Sequence, residues 1–137
     1  MAQAAKRKAE ESIFTGAFSS FSVDDLDSAK KFYGETLGLD VEKTGEGLEL
    51  SVEDEVTIFV YPKDDHEPAT FTVLNFRVED IDEAVDELTD RGITFESYKG
   101  EMKTDEKGVF RGAEDGDGPN IAWFKDPAGN FLSVIEE

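Results

Sequence analysis

A repeated motif is the feature that most constrains the fold of this chain. The segments FSVDDLDSAKKFYGETLG, residues 21–38, and FRVEDIDEAVDELTDRG, residues 76–92, begin 55 residues apart and share Phe, Val, Asp, Asp and Ala at matching positions. Agreement of this density, in the same order, indicates that one structural unit occurs twice. Any fold for the chain must therefore contain two copies of the same supersecondary unit.

Each copy of the motif predicts the end of a strand followed by a helix. The Phe-x-Val pair places two apolar side chains on one face of a strand. Asp25 and Asp80 are then predicted helix N-caps. Apolar residues recur at helical spacing after each cap, and Gly38 and Gly92 are predicted to end the two helices.

Further strands follow each predicted helix. The segments LDVEK, residues 39–43, and ITFESY, residues 93–98, are rich in strand formers. More strands are predicted at residues 47–52 and 55–61 in the first half, and at residues 108–112, 121–124 and 131–136 in the second half. The predicted fold class is therefore α+β, with two tandem βαβββ modules.

The predicted boundary between the modules falls in the polar segment PKDDHEPAT. We expect residues 1–12 to be a disordered or frayed tail. The first module should cover residues 13–62, a linker residues 63–70, and the second module residues 71–137. A module of this length buries only a modest core, so the two should pack as one folded unit or pair with modules of a second chain.

Cysteine and histidine content restricts the chemistry of the chain. There is no cysteine, which excludes disulfides, zinc–cysteine sites and thiol catalysis. His66 is the only histidine, so no metal site can take two His ligands from one chain. His66 lies in the polar linker, where we interpret it as a solvated loop residue, with catalysis as the less favoured alternative.

Charge and hydropathy restrict the possible partners. The formal net charge is −19, which argues against nucleic acid and against anionic membrane as partners. The acidic residues are spread along the chain, a pattern that also fits a salt-rich source. No apolar run reaches transmembrane length and the N-terminal segment lacks a secretory apolar region, so we expect a cytoplasmic protein.

Three segments together resemble a known superfamily. They are FSVDDLDSAKKFYGETLGLDV, FRVEDIDEAVDELTDRGITFE and AWFKDPAGNFLSVIE. In their order and spacing the chain resembles the vicinal oxygen chelate proteins, which include glyoxalase I, extradiol dioxygenases, fosfomycin-resistance enzymes and bleomycin-resistance proteins. The resemblance covers about residues 13–136. It implies two curved sheets that enclose a cavity, with helices on the outside, and it suggests a homodimer.

The resemblance also implies where metal-using relatives carry their ligands. Those relatives place His or Gln on the first strand of each module and Glu on the last strands. The matching positions here are Phe18 and Val73 on the first strands and Ser133 on the final strand, with Ile58 or Phe59 in the first module. These side chains are not useful ligands for a divalent ion. We therefore predict no metal and no cofactor.

Strand alternation predicts which side chains line the cavity. Residues at every second position of a strand share a face. The candidate ligand-binding residues on the cavity face are Phe18, Ser20, Val73, Asn75, Arg77, Trp123, Phe131 and Ser133. They describe an apolar pocket with a few polar groups, a common form for small-molecule sites. The alternatives are that Trp123 is a core aromatic, that Arg77 pairs with a rim carboxylate and that Asn75 satisfies a backbone group.

Two loops carry weaker signals. The segment SYKGEMKTDEKGVF, residues 97–110, is a polar loop that could overhang the mouth of the cavity. The segment EDGDGPN, residues 114–120, faintly resembles a calcium loop but lacks the full spacing and the distal Glu, so we interpret it as a solvated turn.

Three functions remain open from the sequence. The leading hypothesis is a metal-independent small-molecule-binding protein of the bleomycin-resistance type, which uses the cavity between paired modules. The first alternative is a lyase, isomerase or dioxygenase-type enzyme with an atypical or absent metal site, in which Arg77 stabilises an oxyanion and Tyr98 or a carboxylate moves protons. The second alternative is a non-catalytic dimeric scaffold whose cavity is filled by its own aromatic residues.

Overall fold

The fold consists of two modules, each made of a strand, a helix and three further strands. The structure is a computed structural model that describes residues 13–54 and 56–137 of the chain. The predicted tail over residues 1–12 lies outside the described residues. Within the described part of the chain, no helix is long and apolar enough to cross a bilayer.

The first module forms one mixed four-stranded sheet. Its elements are β1 (Ser19–Val23), α1 (Leu26–Lys31), a π-helical turn (Phe32–Thr36), β2 (Asp40–Lys43), β3 (Leu48–Val52) and β4 (Val56–Pro62). The strand order is β1-β4-β3-β2, in which β1 runs parallel to β4 and the other pairs are antiparallel.

The second module repeats this arrangement. Its elements are β5 (Thr72–Val78), α2 (Ile81–Asp90), a 3₁₀ turn (Gly100–Met102), β6 (Val109–Arg111), the short helix α3 (Gly112–Asp115), β7 (Asn120–Lys125) and β8 (Phe131–Glu136). The strand order is β5-β8-β7-β6, with β5 parallel to β8. The predicted α+β fold of two βαβββ modules is confirmed.

One predicted strand is wrong. Residues 93–98 do not form a strand, although the backbone N–H of Glu96 donates to the Trp123 carbonyl at 2.8 Å. The strand-forming composition of ITFESY reflects burial, since Ile93 is buried and Phe95 packs against the core. The first strand after α2 is therefore β6.

The helix ends follow the predicted chemistry. Asp25 accepts a hydrogen bond from the backbone N–H of Ser28, and Asp80 accepts one from Glu83, each at 3.1 Å. Gly38 and Gly92 have φ angles of 78° and 97°, a conformation that L-residues with a side chain rarely adopt. Both predicted N-caps and both predicted helix ends are therefore confirmed.

A single hydrophobic core is shared by both modules. It lies on one side of each sheet, and buried residues alternate with more exposed ones along β1, the start of β3, and β7. From the first module it takes Phe21, Val23, Ala29, Tyr33, Leu48, Leu50, Ile58 and Val60, and from the second Ile81, Val85, Ile93, Val109, Ala122, Phe124, Ala128, Leu132 and Val134. The opposite face of each sheet is turned away from this core.

A buried polar junction joins the two modules at the turn Asp126–Asn130. The Asp126 carboxylate accepts hydrogen bonds from the Ala128 and Asn130 N–H groups at 3.0 and 2.8 Å, and from the Tyr33 hydroxyl of the first module at 2.7 Å. Asn130 Nδ2 donates to the Ser22 carbonyl of β1 at 2.9 Å. Burial, with the Asp126 charge and hydrogen bond, raises the pKa of Tyr33 far above its usual value, so the hydroxyl remains a donor.

The linker histidine belongs to the same junction. His66 is half-buried, with Nδ1 2.7 Å from the Ser22 hydroxyl and Nε2 3.1 Å from the Ala128 carbonyl. A carbonyl oxygen only accepts, so Nε2 donates to Ala128, while Nδ1 and the Ser22 hydroxyl share the second hydrogen bond. The interpretation of His66 as a solvated loop residue is therefore wrong, because its ring ties the linker to both modules.

Candidate functional site

The face of the second sheet opposite to the core carries most of the predicted site residues. The register pairs Asn75 with Ser133 and Ser133 with Trp123, so these three side chains lie in one row across β5, β8 and β7. Phe131 and Arg77 lie on the same face, two residues along their strands. Strand alternation therefore placed five of the eight predicted residues on one surface.

An aromatic groove of about 250 Å³ occupies part of this face. Trp123 and Phe131 form its floor, and the Tyr98 ring meets Trp123 edge-on with ring centroids 5.5 Å apart. The complete lining is Thr70, Phe71, Thr72, Tyr98, Met102, Trp123 and Phe131. Tyr98 and Met102 belong to the loop over residues 97–110, so two residues of this loop line the groove.

Val73 does not lie where alternation predicted it. A register shift between Thr72 and Leu74 interrupts the pairing of β5 with β8, and Thr72 is paired with Phe131. Val73 packs against the hydrophobic core, while Thr72 lines the groove. The physical reason is a β-bulge, which inserts one residue and reverses the facing of the residues before it.

Ser133 is enclosed rather than presented to solvent. It has no exposed surface, and its hydroxyl donates to Asn75 Oδ1 at 2.5 Å. A buried hydroxyl without a hydrogen-bond partner would be costly. Asn75 Oδ1 supplies the acceptor that the Ser133 hydroxyl needs. Ser133 is therefore connected to the exposed face of the sheet only through Asn75, which lies in the same row as the groove residue Trp123.

Arg77 forms an ion pair at the rim of the same face. Its Nε donates to the Glu137 carboxylate at 2.8 Å, and the Arg77 side chain is 80% exposed. An ion pair this exposed contributes little to stability. The rim ion pair is thus observed, and a contact between Arg77 and a ligand stays a prediction.

The corresponding face of the first sheet carries a second groove, of about 330 Å³. Its lining consists of Phe18, Glu46, Glu49, Thr57 and Phe59. The Phe18 side chain is 72% exposed, and Phe59 stacks on Tyr61 with ring planes 17° apart. Ser20 pairs with Phe59 and is exposed on this face.

The two grooves have no lining residue in common. The predicted residues are accordingly divided, with Phe18 and Ser20 on the first sheet and Asn75, Arg77, Trp123, Phe131 and Ser133 on the second. In place of one cavity enclosed by both sheets, the structure shows two open grooves on separate sheets. Another groove, of about 230 Å³, lies between the modules and is lined from both, by residues such as Leu37 and Phe124.

The register identifies the fourth position at which metal-using relatives would carry a ligand. Phe59 pairs with Ser20 and Ser133 pairs with Asn75, and Ser20 and Asn75 each precede the repeated Phe of the motif. Phe59, and not Ile58, is therefore the counterpart of Ser133. Among residues 13–54 and 56–137, no group of three or more His, Asp or Glu side chains could hold a metal ion. The four positions carry Phe18, Val73, Phe59 and Ser133, and one neutral hydroxyl beside three apolar side chains does not fit a divalent ion.

The electrostatics of the groove favour donors over bases. Burial, together with the Glu96 charge, raises the pKa of the Tyr98 phenol, so this group is protonated at neutral pH. Hydrogen bonds from Arg111 and Lys107 hold the pKa of the Asp82 carboxyl well below its usual range. Asp82, Lys107 and Arg111 form ion pairs that connect α2 to β6 and the loop before it. None of these three residues lines either groove.

The loop residues 114–120 have a structural role in part. Asn120 is buried, its Oδ1 accepts from the Ala113 N–H at 3.2 Å, and its Nδ2 donates to Glu136 at 3.0 Å. A second Glu136 oxygen accepts from the Ile81 N–H at the start of α2. Asn120 therefore connects the start of β7 to α3 directly and to α2 through Glu136. The prediction of a solvated turn fits only the exposed residues before Asn120.

Several groove residues escaped the sequence reasoning. Thr70, Phe71 and Met102 lie in loops, where alternation does not define a face. Phe71 is 67% exposed and Met102 is 46% exposed, and this exposure marks them as candidate contact residues only once the fold is known.

Known proteins share this fold. The chain is similar to a glyoxalase family protein from Enterococcus faecalis, with 21% identity over 91% of this chain and 100% of that chain, and a TM-score of 0.64. It is also similar to TnmS3, an antibiotic binding protein from Streptomyces sp. CB03234, with 22% identity over 91% and 98% of the two chains, and a TM-score of 0.63. These similarities show the fold alone.

A family comparison goes further than the structural ones. No curated protein matches the sequence. Residues 17–134 match the model of the Glyoxalase/Bleomycin resistance protein/Dioxygenase superfamily. This range contains both copies of the repeat and extends into the final strand. With two βαβββ modules and nearly the whole chain matched, this protein belongs to the glyoxalase/bleomycin resistance protein/dioxygenase superfamily.

Proposed function

We propose that this protein binds a small aromatic molecule without a metal ion, and that two copies of the chain complete the binding cavity. The observation that carries the proposal is the aromatic groove beside Trp123, which is open to solvent in one chain. Clefts lined by aromatic side chains with a few polar groups are the usual form of small-molecule sites. The printed description of TnmS3 as an antibiotic binding protein supports the same class of function.

The homodimer is supported by apolar side chains that a single chain leaves uncovered. Phe18 and Phe71 are large, strongly exposed and located in the two separate grooves. Contiguous exposed apolar surface on a small protein marks an interaction site. The first face adds Glu46 and Glu49 and the second adds Lys125, so opposite charges would meet if one face covered the other.

Metal independence is supported by the chemistry of the side chains at the four positions. Phe18, Phe59, Val73 and Ser133 provide three apolar side chains and one hydroxyl, and the register shift beside Val73 adds only the Thr72 hydroxyl. Neither type binds a divalent ion with useful strength. The polar groups near the groove, Asn75 and Tyr98, are suited to hydrogen bonding with a ligand.

Ligand binding can be tested through the single tryptophan. Trp123 is the only Trp of the chain and lies in the groove, so its fluorescence reports on the site directly. We expect naphthalene derivatives to change the Trp123 emission in a saturable way, with the same affinity in EDTA as in added Zn²⁺ or Mn²⁺.

The control for this titration is a variant of the groove wall. Met102→Lys introduces a charge at the mouth of the groove and should weaken binding at least threefold, whereas Lys103→Met, a change of the neighbouring exposed residue, should not. A metal requirement for binding would contradict metal independence. The absence of any saturable response would contradict the binding function.

A further inference from the structure

We propose that Ser133 is a positioning residue that fixes the Asn75 amide with its nitrogen toward the ligand, so that the site selects aromatic molecules bearing a carbonyl oxygen. The proposal rests on the binding function proposed above and specifies the chemical class of the ligand. It starts from the hydrogen bond between the buried Ser133 hydroxyl and Asn75 Oδ1.

The direction of this hydrogen bond determines which end of the amide is free. An Asn side chain has one acceptor oxygen and one NH₂ group with two donors. The Ser133 hydroxyl donates to the oxygen, so the Asn75 NH₂ group is left on the exposed face of β5. Within the described part of the chain, no group accepts a hydrogen bond from Asn75 Nδ2.

The surroundings of Ser133 make the arrangement rigid. Ser133 lies on β8 between Asn75 of β5 and Trp123 of β7, with no exposed surface. If the amide rotated by half a turn, its NH₂ group would face the hydroxyl, and the hydroxyl would have to become the acceptor. The hydroxyl hydrogen would then have no acceptor, and water cannot supply one at a fully buried group, so the observed orientation is favoured.

The neighbours of Asn75 are donors as well. Arg77 lies two residues along the same face, and only its Nε is used by Glu137 among the described residues. Asn75 and Trp123 are two strands apart, about 10 Å at the usual spacing of about 4.8 Å, a distance that two fused rings and one hydrogen bond can span. The row thus offers an aromatic surface at one end and N–H donors at the other.

A ligand that matches this row has a planar ring system and an acceptor at its edge. A carbonyl oxygen accepts from NH₂ without bringing a charge into the groove. An aromatic hydrocarbon of the same size would leave the Asn75 donors without a partner, or would strip their water without replacing it.

The test compares two probes that differ only in the carbonyl group, 2-acetylnaphthalene and 2-ethylnaphthalene. We expect the wild-type protein to bind the acetyl compound about three- to tenfold more tightly, the range expected for one net hydrogen bond. In Ser133→Ala the affinity for the acetyl compound should fall to that for the ethyl compound. The affinity for the ethyl compound itself should stay within about twofold, since the apolar contacts are unchanged.

Two further variants separate positioning from packing. Ser133→Thr keeps a hydroxyl and should retain the preference for the acetyl compound. Asn75→Leu removes the amide and should abolish the preference even if Ser133→Ala proves too unstable to purify. In NMR spectra of ¹⁵N-labelled protein, the Asn75 side-chain NH₂ signals should shift with the acetyl compound and not with the ethyl compound.

The outcomes distinguish this inference from the binding function. If both probes bind wild type equally, or if Ser133→Ala keeps the preference, the inference is overturned while the binding function stands. If neither probe binds the wild-type protein, both are overturned. Loss of binding for both probes in Ser133→Ala, without loss in Asn75→Leu, would assign Ser133 a packing role and overturn the inference.

Discussion

At the scale of single residues, Asp126 accepts more hydrogen bonds than any other side chain in residues 13–54 and 56–137. Its two oxygens accept four hydrogen bonds, two from backbone N–H groups in its own turn and two from the side chains of Tyr33 and Asn130. A buried carboxylate is tolerated because every strong acceptor direction is satisfied. The Tyr33 hydroxyl is the only one of these donors that comes from the first module.

Removing that hydroxyl should weaken the protein measurably. We expect Tyr33→Phe to lower the free energy of unfolding by about 1.5–3 kcal/mol, because a hydrogen bond to a buried charged group is lost. The measurement is the midpoint of urea denaturation followed by circular dichroism.

The matched control is Tyr61→Phe. Tyr61 is half-buried in β4, and its hydroxyl has no hydrogen-bond partner in the described part of the chain. This substitution should change the free energy of unfolding by less than about 0.5 kcal/mol. Equal effects of the two substitutions would show that the Tyr33 hydroxyl does not hold the modules together.

At the scale of elements, the two copies of the motif build different helices. The first continues from α1 into a π-helical turn, in which the Leu37 N–H donates to the Phe32 carbonyl at 2.9 Å. The second forms a ten-residue α-helix. A second carboxylate, Glu136, accepts from the Ile81 N–H in α2, whereas Asp25 is the only side chain that caps α1 among the described residues.

The short first helix should therefore depend on its cap. We expect Asp25→Ala to cost about 1 kcal/mol of unfolding free energy, since the Ser28 N–H loses its acceptor. Thermal and urea denaturation of the variant measure this cost.

Asp24→Ala is the matched control for the cap. It removes the same charge one residue earlier, where no hydrogen bond to the helix is present in the described structure. Its effect should stay within about 0.5 kcal/mol. If Asp24→Ala is as destabilising as Asp25→Ala, the effect belongs to general charge and not to the cap.

At the scale of the whole molecule, the two exposed sheet faces differ in charge. Glu42, Glu49 and Phe59 lie in one row of the first face, while Arg77 and Lys125 lie on the second. Contact between faces of opposite charge speeds association and fixes the orientation of the partners. The proposed dimer should therefore weaken as salt screens these charges, within a Debye length of about 10 Å at 0.1 M ionic strength.

A charge exchange tests this dimer. We expect Glu49→Lys to weaken dimerisation about tenfold or more in sedimentation equilibrium at low salt, and Lys125→Glu added to it to restore part of the loss. Glu35→Lys makes the same charge change on the exposed side of the π-helical turn and should leave dimerisation within about twofold. A wild-type protein that stays monomeric at high concentration would contradict the dimer.

The repeated fold could be predicted from the sequence because the features that define each copy act between residues close together in the chain. Caps, apolar spacing and Gly38 or Gly92 act over a few residues, and all of them can be read directly. The bulge at Val73 has no such signal, since it depends on how β5 pairs with β8. Alternation placed five of the eight predicted residues on one sheet face, but Phe71 and Met102 lie outside the strands, in segments whose path is set by tertiary packing.

The hydrogen bonds of Ser22 distinguish the two copies of the repeated motif. Ser22 holds the second module through its carbonyl and its hydroxyl, by way of Asn130 and His66. The residue at the matching place in the second copy is Arg77, whose hydrogen bond goes to Glu137 of its own module. The two halves fold alike but are not interchangeable, because the contacts of Ser22 with the other module have no counterpart at Arg77.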